Sequence, residues 1–136
     1  MRLLPVNLDA ILVELADLDE TLALFDALEA DPIEGVTELV PAARTILVHF
    51  LPWVCPLPRL VAGIVARQGR QGQARQGTLV RIPVRYDGED LAEMADHLGL
   101  SVDELVRRHA ASVWQVAFTG FAPGFAYLSG GDPVFN

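Results

Sequence analysis

Short apolar runs in the first half of the chain predict four strands. The runs are rich in strand-forming residues and are separated by turn residues or by a connection of hairpin length. They cover residues 2–5, 10–15, 37–40 and 45–50. Residues 41–44, Pro-Ala-Ala-Arg, join the last two runs in the manner of a β-hairpin.

Two helices are predicted among these strands, because apolar side chains recur there every three or four residues. The first apolar face consists of Leu18, Leu22, Phe25 and Leu28, and the second of Leu57, Leu60, Val61, Ile64 and Val65. Asp17 or Asp19 can cap the first helix, which ends near Glu29, and Pro56 or Pro58 begins the second. The order ββαββα predicts an α+β fold, a two-layer sandwich with one four-stranded sheet under two helices.

The second half of the chain has fewer elements than a closed sheet requires. Alternation predicts a strand over residues 78–85, helical spacing predicts helices over 89–97 and 101–110, and residues 112–118 are the predicted final strand. A ribbon of two strands is marginally stable in water. Residues 78–136 are therefore expected to be part of a larger domain, completed by further sequence or by another chain.

A low-complexity segment separates the two halves. Residues 66–77 contain the triplet Arg-Gln-Gly three times and lack apolar anchors. The composition predicts a solvated linker, with phosphate binding by its arginines as the alternative. The predicted domains are residues 1–77, including this linker, and residues 78–136.

Composition and charge exclude several classes of protein. The longest apolar runs are far shorter than the roughly 20 residues that cross a bilayer, and the N-terminus lacks a secretory signature. A net charge of -8, with ten arginines and no lysine, provides no basic stripe for nucleic acid or anionic lipid. Cys55 has no second cysteine with which to pair, and its apolar surroundings favour a packed thiol over a reactive one. A cytoplasmic protein is expected.

Familiar catalytic patterns are absent from the sequence. No Gly-x-Ser-x-Gly occurs, and His49, His97 and His109 lack the spacing of metal ligands, so no metal site is predicted. The carboxylate pairs at 89–90 and 103–104 stand at predicted helix starts, where they offset the helix dipole. Ser101 and Glu104 match a capping box.

Residues 118–131, Phe-Thr-Gly-Phe-Ala-Pro-Gly-Phe-Ala-Tyr-Leu-Ser-Gly-Gly, combine four aromatic rings with four glycines. A helix through its first two glycines and its proline would cost about 5 kcal/mol, so a loop is predicted. The backbone N–H groups near Gly120 and Gly124 could hold a carboxylate, a phosphate or an oxyanion. An aromatic-stapled turn without a binding role is the alternative, and the residues alone leave both open.

Three segments of this chain resemble one bacterial protein family. They are Ile-Pro-Val-Arg-Tyr at 82–86, Leu-Val-Arg-Arg-His at 105–109 and, above all, Gly-Phe-Ala-Pro-Gly-Phe-Ala-Tyr-Leu at 120–128. They are similar to allophanate hydrolase subunit 1, mostly regarded as the B-type subunit of ATP-dependent 5-oxoprolinase. The same family includes the Kip-type inhibitor of a histidine kinase and a portion of the carboxyltransferase region of urea carboxylase.

The resemblance implies an N-terminal α+β domain followed by a cyclophilin-like β-barrel, most of whose strands would follow residue 136. It also implies a subunit of an ATP-dependent amide or lactam hydrolase that converts 5-oxoproline to glutamate and is inactive alone. The implied partner is a second carboxyltransferase-like subunit, similar to allophanate hydrolase subunit 2 or to the C-type subunit of 5-oxoprolinase. ATP would be used by the assembled enzyme.

The site residues that the resemblance implies belong mainly to the glycine-rich motif. The substrate-binding positions would be Gly120, Phe121, Pro123, Gly124 and Phe125, and the catalytic positions Tyr127 and His109. The Tyr127 hydroxyl would orient the substrate. Two other functions are open at this point: inhibition of a histidine kinase by protein binding, and biotin-dependent transfer of a carboxyl group to urea.

Overall fold

The computed structural model describes residues 1–70 and 77–135. The chain divides into two compact units, Met1–Gln76 and Gly77–Asn136. Residues 71–76, in the predicted linker, lie outside the described part, as does Asn136. Among the helices of the described ranges, none combines the length and the apolar character needed to cross a bilayer.

The first unit contains one four-stranded sheet and two helices. The strands are β1 (Arg2–Pro5), β2 (Ala10–Glu14), β3 (Val36–Pro41) and β4 (Thr45–Phe50), and the helices are α1 (Leu18–Ala30) and α2 (Leu57–Val65). The order across the sheet is β1-β2-β4-β3, and each neighbouring pair is antiparallel. The predicted ββαββα order and the hairpin between β3 and β4 are confirmed.

Alternation along the central strands determines which face of the sheet is buried. On β4, Ile46, Val48 and Phe50 are buried, whereas Leu47 and His49 between them are half-buried. Successive side chains of a strand point to opposite faces, so the buried set lies on one face. The other residues of this core are Ile11, Val13, Leu15, Leu24, Leu28, Ile33, Cys55, Leu60 and Ile64. Both helices therefore pack on the same face of the sheet.

Helix α1 begins at its predicted cap but buries a different face. The Asp17 carboxylate accepts the backbone N–H of the third helical residue at 2.9 Å. The buried residues of α1 are Thr21, Leu24, Ala27 and Leu28. Leu18, Leu22 and Phe25, which the periodicity assigned to the buried face, are only half-buried. Thr21 can lie at the centre of that face because its hydroxyl donates to the Asp17 carbonyl at 2.7 Å.

Gly35 approaches Cys55 closely at the edge of the core. Its φ is +90°, and a Cβ atom placed on it would lie 2.8 Å from the Cβ of Cys55. The Cys55 thiol is free and fully buried. This environment agrees with the packed thiol that the sequence favours, since a reactive cysteine needs access to solvent.

Arg67 fastens the C-terminal ends of α1 and α2. Its Nε donates to the carbonyl oxygen of Asp31 at 2.6 Å, and its Nη1 donates to that of Gly63 at 2.8 Å. Its Nη2 lies 3.0 Å from the Asp31 carboxylate, and only 12% of the side chain is exposed. The prediction of a solvated linker is therefore wrong at Arg67, which supplies donors to carbonyls near helix ends.

The second unit has no strand over residues 78–85, so that prediction is wrong. The segment has no regular structure, and Leu79, Val80, Ile82 and Val84 are all exposed. A strand makes its hydrogen bonds with a neighbouring strand, and no described residue pairs with this segment. Alternation alone cannot supply that partner.

The two predicted helices of the second unit are confirmed as α3 (Leu91–His97) and α4 (Val102–Ala111). Gly99, with φ +66°, lies just beyond the end of α3, where glycine commonly terminates a helix. Ser101 caps α4, since its hydroxyl accepts the Glu104 N–H at 3.2 Å. This is half of the predicted capping box, because the Glu104 carboxylate binds arginines instead.

The second unit buries few apolar side chains. Over residues 77–135, the buried residues are Ala95, Leu105 and Ala117. Two of these three are alanines, which contribute little apolar area. The core of the second unit is therefore small beside that of the first.

Candidate functional site

A β-hairpin carries the aromatic and glycine-rich segment. Its strands are β5 (Trp114–Thr119) and β6 (Ala126–Gly130), which pair antiparallel. The sequence predicted a loop over residues 118–131. That prediction is wrong for the second half of this range, because Ala126–Gly130 is itself a strand paired with β5. Residues 120–125 connect the two strands and form the hairpin tip.

A β-bulge in β5 brings two aromatic rings together. The register shifts between Val116 and Phe118, so that Phe118 rather than Ala117 stands opposite Tyr127. The two rings stack with centroids 4.6 Å apart and planes inclined by 22°. Bulges redirect side chains in this way, and residues directly opposite on paired strands stabilise each other.

The rings of the hairpin form a continuous row. Phe125 lies edge-on to Tyr127 at 5.2 Å, and Phe121 lies edge-on to Phe125 at 5.5 Å. With Phe118 these residues constitute the aromatic row. Its outermost ring, Phe121, is 89% exposed. The row therefore runs from the paired strands to solvent at the tip.

A γ-turn occupies the first part of the hairpin tip. The Ala122 N–H donates to the Gly120 carbonyl at 2.8 Å, and the enclosed residue, Phe121, has φ +66°. A γ-turn with positive φ is rare and strained. Gly124 also has positive φ, at +78°, whereas Gly120 does not.

A β-turn occupies the second part. The Phe125 N–H donates to the Ala122 carbonyl at 3.0 Å, with Pro123 and Gly124 between them. Proline followed by a glycine of positive φ is the preferred pair of a type II turn. This turn fixes where the N–H of Gly124 stands.

The predicted N–H donors of the tip differ in whether they have a hydrogen-bond acceptor. The Gly120 N–H donates to the Phe125 carbonyl at 3.2 Å and is engaged within the hairpin. The N–H groups of Phe121 and Gly124 have no acceptor within residues 1–70 and 77–135. A Cβ atom on Gly124 would meet no atom within 4 Å, so open space adjoins this residue.

His109 lies at the opposite end of the hairpin from the tip. Its Nδ1 is 2.8 Å from the Tyr86 hydroxyl, and its ring is 5.2 Å from that of Trp114 and 5.8 Å from that of Phe135. Trp114 begins β5, whose five steps to Thr119 span about 17 Å. The structure thus brings Tyr127 together with the motif phenylalanines, but it does not bring His109 to them.

Glycines form the hairpin base next to Trp114. Gly130, with φ +92°, pairs with Trp114, and Gly131, with φ +89°, follows it. A Cβ atom on Gly131 would lie 2.5 Å from the indole ring of Trp114. Gly130 and Gly131 therefore leave room for the Trp114 ring at the hairpin base, whereas Gly124 forms part of the turn at the tip.

An open depression of about 500 Å³ lies beside α4, outside the predicted site. Its lining residues are Arg107, Arg108, Ala111, Ser112, Val113, Gly131 and Asp132. Both arginines donate to the Glu104 carboxylate at 2.7 Å, and Arg108 Nη1 lies 3.6 Å from an Asp132 oxygen. The spacing of Glu104 from the arginines, three and four residues, was the sequence signal for this cluster.

The Glu104 cluster predicts a pH dependence of stability. Hydrogen bonds from Arg107 and then from Arg108 lower the pKa of Glu104 from 4.5 to about 2. A lowered pKa in the folded state means that the carboxylate contributes stability above pH 4.5, and that this contribution is lost as the pH falls towards 2. We expect Glu104→Gln to lower the free energy of unfolding at neutral pH and to have a much smaller effect near pH 2.

Chemical denaturation of both proteins across this pH range measures the difference. Asp103→Asn, also in the first turn of α4, is the matched control for the helix dipole. A difference between wild type and Glu104→Gln that stays constant down to pH 2 would contradict the prediction.

The other two histidines belong to elements outside the hairpin. His49 belongs to β4 and His97 ends α3. Within the described ranges, no three side chains of the His, Cys, Asp and Glu types are grouped as metal ligands would be.

Sequence comparisons identify a family that covers the whole chain and relatives that match part of it. The profile of the carboxyltransferase domain, subdomain C and D, matches residues 1–136. The chain is 43% identical over 56 residues to the B-type subunit of 5-oxoprolinase from Escherichia coli O157:H7, covering 39% of this chain and 26% of that protein. It is 30% identical over 118 residues to the corresponding 5-oxoprolinase subunit of Bacillus subtilis (strain 168), covering 76% of this chain and 49% of that protein. The chain thus spans half or less of these relatives.

Solved structures share the fold. A crystal structure of TTHA0988 superimposes with a TM-score of 0.68 at 30% identity and covers 92% of this chain and 26% of that chain. A second crystal form of TTHA0988 gives the same TM-score over 93% of this chain. The mixed α/β fold with antiparallel sheets is therefore confirmed.

Proposed function

Because the chain belongs to the family of the carboxyltransferase domain, subdomain C and D, we propose that it is one component of a multi-subunit hydrolase that converts 5-oxoproline to glutamate. Two relatives are both named as the B-type subunit of 5-oxoprolinase, and a subunit implies companion chains. The proposed companion is a second carboxyltransferase-like subunit, similar to allophanate hydrolase subunit 2 or to the C-type subunit of 5-oxoprolinase. The chain alone is proposed to be inactive.

We place the substrate site at the hairpin tip. The observation that carries this proposal is an N–H without an acceptor at Gly124, next to open space and an exposed aromatic row. Opening a lactam adds water across its C–N bond, and negative charge develops on the carbonyl oxygen during the attack. A fixed N–H donor stabilises such charge.

The remaining motif residues have proposed roles around that oxygen. Phe121, Pro123 and Phe125 would contact the apolar part of the substrate, and Gly120 would hold the turn closed through its N–H. The Tyr127 hydroxyl would orient the substrate, because stacking on Phe118 at 4.6 Å fixes its ring. The tip thus combines a backbone donor with a positioned hydroxyl.

For His109 we propose a proton-transfer role at the hairpin base. Its Nδ1 is engaged with the Tyr86 hydroxyl, which leaves Nε2 for exchange. A general acid or base must lie within hydrogen-bond reach of the proton that it moves. At about the length of β5 from the tip, His109 would serve a group that approaches the base.

The two arginines beside the open depression, Arg107 and Arg108, do not fit ATP, which the proposed reaction would consume. A triphosphate requires several N–H or cationic donors around it. The chain has no lysine, and Arg107 and Arg108 are paired with Glu104. We therefore assign ATP to the assembled enzyme and derive no step through it on this chain.

We also propose that residues 78–136 are the first part of a cyclophilin-like domain. The small core of the second unit supports this, as do the exposed apolar side chains of the segment 78–85. Pairing of that segment in a larger sheet would bury them. The same reasoning makes the chain dependent on further structure for activity.

The test is ATP hydrolysis that depends on 5-oxoproline, measured in the complete assembly with its companion subunits. We expect Gly124→Val to lower turnover at least about tenfold by removing the positive-φ turn, while co-purification shows that the assembly is intact. Gly99→Val is the matched control, because Gly99 also has positive φ, at +66°, and open space around it, but follows α3 and lies outside the tip. Absence of oxoproline-dependent turnover in the wild-type assembly would refute the proposal.

Biotin-dependent carboxyl transfer to urea or a related amide is the second candidate. The chain's membership of a carboxyltransferase-domain family favours this candidate. Transfer of labelled carboxylate from carboxybiotin in the same assembly would support this candidate. Oxoproline turnover in the absence of biotin would decide for the hydrolase.

A further inference from the structure

The conformation of Phe121 has a cost that its packing does not offset. A non-glycine residue held at positive φ costs about 1–3 kcal/mol. The Phe121 ring contacts Phe125 at 5.5 Å and remains 89% exposed, so it buries little apolar area in return. Strained backbone that does not serve packing is found where a ligand is held.

The surroundings of this ring restrict the chemistry of a ligand. Residues 118–129 contain no charged side chain. The free polar groups of the tip's backbone include the N–H groups of Phe121 and Gly124, which have no acceptor in the described part of the chain. A ligand that satisfies them must present an oxygen acceptor, and one that contacts the aromatic row must present a flat apolar face.

A planar lactam or amide meets both conditions, whereas a saturated amino acid does not. The amide group is flat and its carbonyl oxygen is a strong acceptor. A saturated amino acid can offer a carboxylate oxygen as the acceptor, but it presents no flat face to the aromatic row.

We infer that Phe121 is the specificity-determining residue of the hairpin tip: its ring covers a planar lactam or amide whose carbonyl oxygen accepts the N–H of Gly124. The γ-turn holds the ring at the outer end of the aromatic row, beside the open space next to Gly124. The identity of the ligand as a lactam rests on the proposed function. The assignment of ring and donor rests on the tip itself.

Binding to the 136-residue chain tests this inference without any turnover. The uniformly ¹⁵N-labelled protein is titrated with 2-pyrrolidinone, with L-5-oxoproline and with L-proline, which has the ring and carboxylate but no lactam carbonyl. We expect saturable shifts centred on the Gly124 amide for both lactams, and binding of L-proline at least about tenfold weaker.

Three variants separate the role of the ring from that of the fold. Phe121→Ala and Phe121→Gly should each weaken lactam binding about tenfold. Phe121→Gly also relieves the positive φ, so its loss of binding cannot be attributed to misfolding. Trp53→Ala, which removes a ring that is 79% exposed in the first unit, should bind as the wild type does.

Several results would overturn the inference. They are an unmoved Gly124 amide with both lactams, equal binding of L-proline, or full binding by Phe121→Gly. A tip that serves to enter an apolar pocket of another protein would give the first of these. If the assembly hydrolyses ATP with 5-oxoproline while the tip binds no lactam, this inference and the placement of the substrate site at the tip both fail, and the proposed reaction stands. If the tip binds lactams but the assembly shows no turnover of 5-oxoproline, this inference stands and the proposed reaction fails.

Discussion

Gly35→Ala is expected to lower the free energy of unfolding of the first unit by about 3 kcal/mol. Placing an L-residue at φ +90° costs about 1–2 kcal/mol. The new methyl would also lie 2.8 Å from the Cβ of the fully buried Cys55, and overpacking of this kind costs about 1–3 kcal/mol. Urea denaturation followed by far-ultraviolet circular dichroism measures the loss.

Gly69→Ala is the matched control for this substitution. Gly69 has φ +75°, but a Cβ atom there would meet nothing within 4 Å. It should therefore show the cost of the backbone conformation without the clash. Equal losses for the two variants would show that Cys55 yields to the methyl, contrary to the prediction.

Gly131→Ala is expected to disrupt the hairpin base, with a loss of about 2–4 kcal/mol. The methyl would lie 2.5 Å from the indole ring of Trp114, and φ is +89°. An indole ring cannot yield as the end of a flexible side chain does. The ring would have to leave its position beside His109, 5.2 Å away.

The fluorescence of Trp114 measures this effect when Trp53, the other tryptophan, is replaced by phenylalanine. We expect a red-shifted emission maximum and an unfolding midpoint at lower urea concentration. Gly124→Ala is the control, with φ +78° and no neighbour within 4 Å, and should change the emission little. An unchanged Trp114 spectrum in Gly131→Ala would contradict the expectation.

The first unit could be predicted from the sequence because its signals are local. Strand alternation such as Ile46, Val48 and Phe50 requires only the chain itself, and the Asp17 cap lies next to its helix. The face of α1 was misassigned because Thr21 is polar. Its hydroxyl donates to a helical carbonyl, which makes burial acceptable. Periodicity of apolar residues alone cannot detect a polar group that is satisfied in this way.

The second unit was predicted less well because its strands depend on partners. Residues 78–85 alternate as a strand would, yet no described neighbour takes their hydrogen bonds. The strand Ala126–Gly130 was not predicted because it contains a glycine and a serine, which are weak strand formers, although it pairs with β5. Strand pairing depends on two segments, whereas the pattern of apolar residues describes each segment by itself.

The candidate site was predicted in composition but not in geometry. The motif indicated N–H donors near Gly120 and Gly124, and the structure leaves the N–H groups of Gly124 and Phe121 without an acceptor in the described residues but engages that of Gly120. Reading His109 together with the motif came from the resemblance, whereas the register of β5 separates it from the tip. The predicted strand over residues 112–118 already lies between His109 and the tip in the sequence.

The bulge in β5 affects how this segment should be compared with its relatives. β5 has six residues and β6 has five, because one residue of β5 is accommodated by the register shift between Val116 and Phe118. Deleting Ala117, the extra residue, would remove the bulge and leave the five pairings of β5 with β6 unchanged. A relative that lacks the bulge should therefore need a one-residue gap at this strand, and its apolar residues on either side of the gap should keep the faces that they have in this chain.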